Sequence, residues 1–219
     1  MSEHYFTPDP KVGHGEREFT VQLRGMTFTF VTDRGVFSRG RVDFGTRLLI
    51  ENMDFPPDAV ILDLGCGYGP IGVVAARLAP RGHVYMVDIN ERAVRLAEEN
   101  LARNGIRNAT VRVGDGLGAV PGIAFDAILL NPPVRAGKAT VWRLLAEAEA
   151  ALRPGGSLWV VIGNKQGAPS LKRRLQELFP RVEDVDRKAG FHIYRGVKAG
   201  PASAPEASPE RPPAAPPEG

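Results

Sequence analysis

Residues 59–72 read AVILDLGCGYGPIG, and this stretch decides the fold. Its first six residues are almost continuously apolar, as a strand buried on both faces of a sheet requires. Gly65, Gly67 and Gly69 follow, at the point where the chain must turn tightly and let a ligand approach its backbone. Pro70 then opens a helix of small residues. The pattern therefore predicts a strand, a ligand-binding glycine loop and a helix.

Strands and helices alternate on the carboxyl side of this stretch. Further strands are predicted at 84–87, 109–113, 125–130 and 157–162, with helices after Asn90, around 141–152 and at 170–179. Two short strands, 182–185 and 190–194, must pair antiparallel because too few residues separate them for a crossover helix. The chain is therefore predicted to be an α/β protein, with a Rossmann-like, doubly wound, mostly parallel sheet and an antiparallel final strand.

Three segments of the chain differ in composition. Residues 1–52 form an N-terminal extension, with a predicted β-hairpin at 18–31 and a short helix at 45–52. Residues 53–196 form the predicted ligand-binding domain, and residues 197–219 form a tail rich in Pro and Ala. The tail has too little apolar surface to offset the entropy of ordering, so we predict that it is disordered.

Charge and cysteine content exclude several classes of protein. The net charge is +3, and because the tail holds two basic and three acidic residues, the remainder carries +4. That charge is compatible with a polyanionic partner. The single cysteine, Cys66, excludes an internal disulfide and a cysteine-based metal site, and no other metal site is predicted. The N-terminus lacks signal-peptide features and the apolar runs are too short to span a bilayer, so we expect a cytoplasmic protein.

The glycine loop alone does not identify the cofactor. Asp88 ends the next strand, 21 residues after Gly67, where an acid binds ribose hydroxyls in doubly wound sheets. Gly67, Gly69 and Gly72 also satisfy the dinucleotide pattern, so an NAD-dependent enzyme competes with one that uses S-adenosylmethionine. Asp63 favours S-adenosylmethionine, because its carboxylate could meet the cationic amino group of a methionine moiety or a bound water.

The sequence ILLNPPV at 128–134 provides the second motif. It lies at the carboxyl end of a predicted strand, on the edge where open α/β sheets bind ligands. Pro132 and Pro133 remove two backbone donors and stiffen the loop. The Asn131 side-chain oxygen and the Pro132 carbonyl remain as acceptors, and two acceptors suit a planar NH₂ group. This motif favours transfer of a methyl group to an amine, by positioning alone.

The glycine loop, Asp88, Asp115 and the motif at 131–134 together resemble class I amino-methyltransferases. More narrowly, the chain is similar to the methyltransferase small family, which includes enzymes that methylate the guanine amine in small-subunit ribosomal RNA. The resemblance also includes residues 4–10, 35–49 and 165–175. It implies S-adenosylmethionine as cofactor and RNA, free or in an assembling ribosomal subunit, as partner.

The resemblance also implies roles for individual residues at the cofactor. Asp63, Gly65 and Gly67 would line its methionine end, Asp88 would bind its ribose and Asp115 would lie beside its adenine. Phe37 and Thr46, which lie in the N-terminal extension before the glycine loop, would close the pocket.

On the substrate side, the resemblance implies that Asn131 and Pro132 hold the target amine, with Pro133 and Val134 beside the base. Related enzymes often carry Tyr or Phe where this chain has Val134, and an aromatic ring there would stack on the base. The change argues against the protein-glutamine and adenine DNA methyltransferases. A protein glutamine methyltransferase and a non-catalytic RNA-binding module nevertheless remain as alternatives.

Basic residues flank the predicted substrate edge. Arg135 and Lys138 directly follow the acceptor motif, and Lys165 lies on the loop after a neighbouring strand. These three side chains could contact phosphates on either side of an extruded base.

Overall fold

The computed structural model describes residues 15–36 and 40–200. Nine strands and five α-helices follow one another along these residues, in the order listed here: β1 (Arg17–Leu23), β2 (Met26–Thr32), α1 (Phe44–Asn52), β3 (Val60–Leu64), α2 (Pro70–Leu78), β4 (His83–Asp88), α3 (Glu91–Arg103), β5 (Ala109–Val113), β6 (Phe125–Leu130), α4 (Lys138–Ala151), β7 (Leu152–Gly163), α5 (Ala168–Leu178), β8 (Arg181–Lys188) and β9 (Phe191–Val197).

Seven of these strands form one twisted sheet in the order β5-β4-β3-β6-β7-β9-β8. The pairs from β5 to β7 are parallel, and β9 is antiparallel to both of its neighbours, β7 and β8. The chain runs outward from β3 to β5 and then returns to add β6 on the other side of β3. Strand order therefore reverses between β3 and β6, which is where open α/β sheets bind ligands.

Both faces of this sheet are buried, as its apolar strands require. In the central strands, alternate residues face opposite sides: Ile61 and Leu129 join the core beneath α1, α2 and α3, whereas Leu62 and Ile128 join the core beneath α4 and α5. A strand that is apolar on both faces is stable only in this three-layer arrangement. The sheet thereby provides a rigid base for the loops at its carboxyl edge.

The hairpin β1–β2 is a separate two-stranded sheet that lies over α3. Two asparagines, one in α3 and one at its C-terminal end, form hydrogen bonds with the backbone of β2 as a neighbouring strand would. The Asn100 side chain accepts from the Val31 N–H at 2.7 Å and donates to the Val31 carbonyl at 2.9 Å. Asn104 does the same with Thr29, at 3.0 and 2.8 Å. The Asn100 amide also donates to the Tyr68 carbonyl at 2.8 Å, so one buried side chain joins the hairpin to the glycine loop.

The predicted fold class, with its parallel sheet, antiparallel final strand and N-terminal hairpin, is confirmed. Strand β7 is longer than predicted. It begins at Leu152 rather than near residue 157, because Leu152 pairs with Phe125 across a register shift and Gly156 bonds with Lys198. The predicted disordered tail lies beyond residue 200, outside the described residues, apart from its first four positions. The three-segment division at 52 and 196 stays a prediction.

Within residues 15–36 and 40–200, the structure contains no helix with the length and apolar character needed to cross a membrane.

Candidate functional site

A cavity of about 330 Å³ opens at the point where strand order reverses. Its walls come from the ends of β3, β4 and β6, the N-terminal turns of α1 and α2, and one face of α4. Most of the residues predicted from the sequence lie on these walls: Thr46, Gly65, Gly67, Asp88, Asp115, Asn131, Pro132, Pro133 and Val134. The structure thus brings the glycine loop and the acceptor motif to one cavity.

Gly65 and Gly67 form the floor of the cavity on the side of the glycine loop. Their φ angles are +76° and +57°, in the left-handed region that disfavours other residues. A Cβ atom at either position would meet no other atom within 4 Å, so their bare backbone is open to a ligand. A Cβ at Gly72, by contrast, would lie 2.6 Å from the Met86 sulfur. That glycine therefore serves the packing of α2 against β4.

Asp88 is held rigidly at the end of β4. One carboxylate oxygen accepts the Gly67 N–H at 2.8 Å and the other accepts the Asn90 N–H at 2.9 Å. Burial raises the pKa of the Asp88 carboxyl, although the hydrogen bonds from Asn90, Gly67 and Ile89 oppose the rise. The side chain lines the cavity, and each oxygen retains a lone pair that can accept a hydroxyl. The geometry suits a ribose diol.

Asp63 lies behind the cavity rather than on its wall. Its side chain is fully buried, and one oxygen accepts the Gly72 N–H at 2.8 Å in the first turn of α2. The other oxygen has no hydrogen-bond partner within the described part of the chain. Burial raises the pKa of Asp63 to about 7, with the Gly72 N–H lowering it and the Asp88 charge raising it further. Contact between Asp63 and the methionine end of a cofactor stays a prediction.

The acceptor wall is assembled by side chains that are distant in sequence. The Asn131 amide NH₂ donates to the Thr46 hydroxyl at 3.0 Å, and Thr46 is itself buried. Thr46 is placed by Asp43, which caps α1 by accepting the Thr46 N–H at 3.1 Å. Because the amide nitrogen is engaged by Thr46, the Asn131 oxygen is left to accept from another group. Thr46 also lines the cavity, and its predicted role in closing the pocket over the cofactor stays a prediction.

The two prolines shape the remainder of that wall. Pro132 is buried, and its carbonyl accepts the Val134 N–H at 2.8 Å. A carbonyl oxygen has two lone pairs, so one acceptor position remains for a ligand. Pro133 and Val134 line the cavity and lead into a short 3₁₀ turn, Val134–Ala136.

The three predicted RNA-binding cations are exposed and lie outside the cavity walls. Lys138 begins α4, and its ammonium lies 5.0 Å from the ring centre of Trp142, one turn later. Lys165 lies in the turn after β7, beside Gln166, which does line the cavity. Arg135 is in the turn directly after Val134. Their contacts with RNA stay predictions.

Asp115 is paired in a way that the sequence did not reveal. Its carboxylate accepts from Arg143 at 2.6 Å, and the same guanidinium contacts Glu147 at 2.6 Å. Both carboxylates raise the pKa of Arg143, which lines the cavity. The spacing of Arg143 and Glu147 by four residues on a helix predicts their pairing. No local pattern indicates that Asp115, from a distant loop, joins them.

Other cavity residues were also missed by the sequence analysis. Asp43 carries a recognisable signal, an Asp directly before a helix that needs a cap. Tyr68 and Gln166 carry none, because their positions depend on the tertiary packing of two loops. Phe37, predicted to close the pocket, and residues 4–10 lie outside the described residues.

The chain is similar to several known proteins. The model of the methyltransferase small domain family matches residues 27–195. The Bacillus subtilis (strain 168) protein YbxB is 44% identical over 90% of this chain and all of its own length. Ribosomal RNA large subunit methyltransferase G of Streptomyces avermitilis is 40% identical over 75% of this chain and 44% of its own length.

A solved structure is similar over most of the chain. It is the Thermus thermophilus 16S rRNA N2 G1207 methyltransferase RsmC in complex with AdoMet and guanosine. The TM-score is 0.75 at 27% identity, covering 87% of this chain and 52% of that one. The chain thus spans about half the length of the ribosomal RNA methyltransferases that it matches. S-adenosylmethionine, the cofactor expected from the sequence, is confirmed, and the chain belongs to the methyltransferase small domain family.

Proposed function

We propose that this protein transfers a methyl group from S-adenosylmethionine to an exocyclic amine of a base in RNA, with guanine N2 of small-subunit ribosomal RNA as the favoured target. The observation that carries the proposal is the Asn131 amide. Thr46 fixes its nitrogen at 3.0 Å, and its oxygen is left as an acceptor in the cavity that the glycine loop also lines.

The residues present suit the cofactor. Gly65 and Gly67 offer a bare backbone with room above it, and the fixed Asp88 carboxylate suits ribose hydroxyls. The cavity volume of about 330 Å³ is within the range for small-ligand sites, roughly 300–1,000 Å³. When bound, S-adenosylmethionine supplies an electrophilic methyl group next to a sulfonium cation.

The acceptor wall would hold the target amine. An exocyclic NH₂ donates two hydrogen bonds, and the Asn131 oxygen and the Pro132 carbonyl offer two acceptors on a stiff loop. Donation of both protons directs the nitrogen lone pair out of the plane of the base, toward the cofactor side. The chain's contribution is then mainly positioning, and the surplus proton can leave after transfer.

The relatives support a nucleic-acid substrate and guanine in particular. Those with assigned names include ribosomal RNA methyltransferases of both subunits, G for the large and C for the small. The similar T. thermophilus enzyme, named for N2 of a guanine in 16S rRNA, was solved with guanosine. We favour the small subunit because the enzyme in that structure, the one solved with guanosine, is named for 16S rRNA.

The test uses ribosomal subunits and RNA from cells that lack the gene. Purified protein and methyl-labelled S-adenosylmethionine are added, and the label is scored in RNA and in protein, with Asn131→Ala as the control of strongly reduced turnover. We expect label in RNA, and N2-methylguanosine at one position when nucleosides are mapped by mass spectrometry. Label in protein alone would identify an amide substrate instead, and label in neither fraction with intact cofactor binding would indicate a binding module.

A further inference from the structure

Two aromatic rings lie together beside the acceptor wall. Phe44, the first residue of α1, is 40% exposed, one of the largest exposed hydrophobic side chains in the described ranges. Its ring centre lies 5.6 Å from that of Phe191, at an interplanar angle of 44°. Neither residue lines the cavity itself.

Their neighbours place this pair at the cavity rim. Phe44 directly follows Asp43, which lines the cavity. The Phe191 ring lies against Gly45, where an added Cβ would be 3.2 Å from ring atom Cε1, so the glycine permits this close approach. Phe191 also pairs with Gly163, the residue before the turn that carries the cavity residue Gln166. The pair therefore borders the side of the cavity that Asp43 and Gln166 form.

Two exposed lysines are neighbours of Phe191 and of its strand partner Gly163 in the backbone. Lys188 is the strand partner of Phe191 on β8, and Lys165 lies in the turn after Gly163. Both lysines are exposed. Aromatic rings between cations are the composition of surfaces that bind single-stranded RNA, because the rings stack on bases and the cations contact phosphates.

The acceptor motif lacks a ring of its own. Val134 follows the two prolines and offers an apolar side chain but no π face. A single-stranded RNA entering the cavity would therefore need aromatic stacking from elsewhere on the protein. Phe44 begins α1 two residues before Thr46, which contacts Asn131, so the first turn of this helix borders the acceptor wall. Phe44 is therefore an exposed ring on the helix end nearest to a nucleotide adjacent to one held at Asn131.

We propose that Phe44, supported by Phe191, stacks on the base of the nucleotide adjacent to the methylated one and so selects an unpaired RNA strand. This inference rests on the proposed function and adds a second base-binding position to it. The target base enters the cavity, and its neighbour remains on the rim.

The test compares three variants of the full chain. Phe44→Leu keeps an apolar side chain but removes the ring, and Phe44→Trp restores a ring. The matched control is Val185→Ala, which alters a side chain of equal exposure, 40%, on the edge strand β8. For each, KM for RNA, kcat, the Kd for S-adenosylmethionine and the unfolding temperature are measured. Fluorescence anisotropy gives the affinity for a labelled single-stranded RNA with S-adenosylhomocysteine present.

Stacking of one base on an aromatic ring corresponds to a factor of about five or more in affinity. We expect Phe44→Leu to raise KM and the anisotropy Kd about fivefold, with kcat and cofactor affinity unchanged. Phe44→Trp keeps an aromatic ring, so its KM and anisotropy Kd should stay close to the wild-type values. Val185→Ala should change neither KM nor the anisotropy Kd.

Unchanged RNA affinity in Phe44→Leu, or equal losses in Phe44→Leu and Phe44→Trp, would overturn the inference and leave the proposed function intact. Failure of the proposed function would appear in the wild-type protein itself, as an absence of label in RNA, and would overturn the inference too.

Discussion

The two walls of the cavity are built by different means. The cofactor wall joins two neighbouring strands and is held largely by backbone bonds. The Val87 carbonyl accepts from the Gly65 N–H at 2.8 Å and from the Cys66 N–H at 3.0 Å, and the Asp88 carboxylate adds one side-chain bond, from the Gly67 N–H. The acceptor wall joins Thr46 to Asn131, 85 residues apart, through two side chains. Backbone bonds survive most substitutions, whereas a bond between side chains is lost with either partner. The acceptor wall is therefore the more fragile, and single substitutions should affect binding and turnover separately.

The largest difference between the effect on turnover and the effect on cofactor binding is expected from Asn131→Ala. The substitution removes the amide oxygen that would orient the amine but leaves the glycine loop and Asp88 in place. Misplacement of a reacting group by about 1 Å can cost about 100-fold in rate, so kcat should fall by about that factor. The Kd for S-adenosylmethionine, measured by calorimetry, should be unchanged. An equal loss in cofactor affinity would show that the two walls are not independent.

Asp88→Asn should weaken cofactor binding and leave turnover little changed, the reverse of Asn131→Ala. The amide can still accept from Gly67 or Asn90 but loses the negative charge, and hydrogen bonds to charged groups contribute about 1.5–3 kcal/mol. The Kd for S-adenosylmethionine should therefore rise about 30-fold, with kcat at saturating cofactor changed little. Asp126→Asn is the matched control, because Asp126 caps the opposite end of the sheet by accepting the Val60 N–H. A similar loss of affinity in that control would indicate a general loss of structure.

The pH dependence of stability tests whether the Asp63 carboxyl, which lies behind the cofactor wall, is neutral or charged in the folded protein. Its pKa is about 7 in the folded protein against an ordinary value of 3.8. Between these values the folded chain keeps a proton that the unfolded chain has released, so stability falls as pH rises from about 4 to about 7. The free energy of unfolding should drop by about 2 kcal/mol between pH 5 and pH 7, since each unit corresponds to about 1.4 kcal/mol.

Chemical denaturation of the wild type and of Asp63→Asn at several pH values measures this effect. The asparagine variant cannot ionise, so its stability should vary less with pH over the same interval. Parallel pH profiles for the two proteins would show that Asp63 is ionised throughout.

The same contrast explains what the sequence could and could not predict. The strand, glycine loop and helix at 59–78 were predicted because each signal is local, and Asn131 with its prolines was recognised for the same reason. The bond between Thr46 and Asn131 has no sequence signature, since it forms only when α1 packs against β7 and β9 and so brings Thr46 to the loop after β6. The pairing of Asp115 with Arg143 is likewise a tertiary contact. Local chemistry was thus predictable, whereas the contacts that orient it depend on the assembled sheet.

The smallest effect is expected from Thr46→Val, which replaces the hydroxyl by a methyl group of similar size. The Asn131 nitrogen would lose its acceptor, and a hydrogen bond of this kind contributes about 1 kcal/mol, so kcat should fall about fivefold. Thr46→Ser keeps the hydroxyl and should retain most of the activity. Because Thr46 would act through Asn131, adding Thr46→Val to Asn131→Ala should cost nothing further. Additive losses in the double variant would mean that Thr46 contacts a ligand directly, as a cofactor-binding residue would.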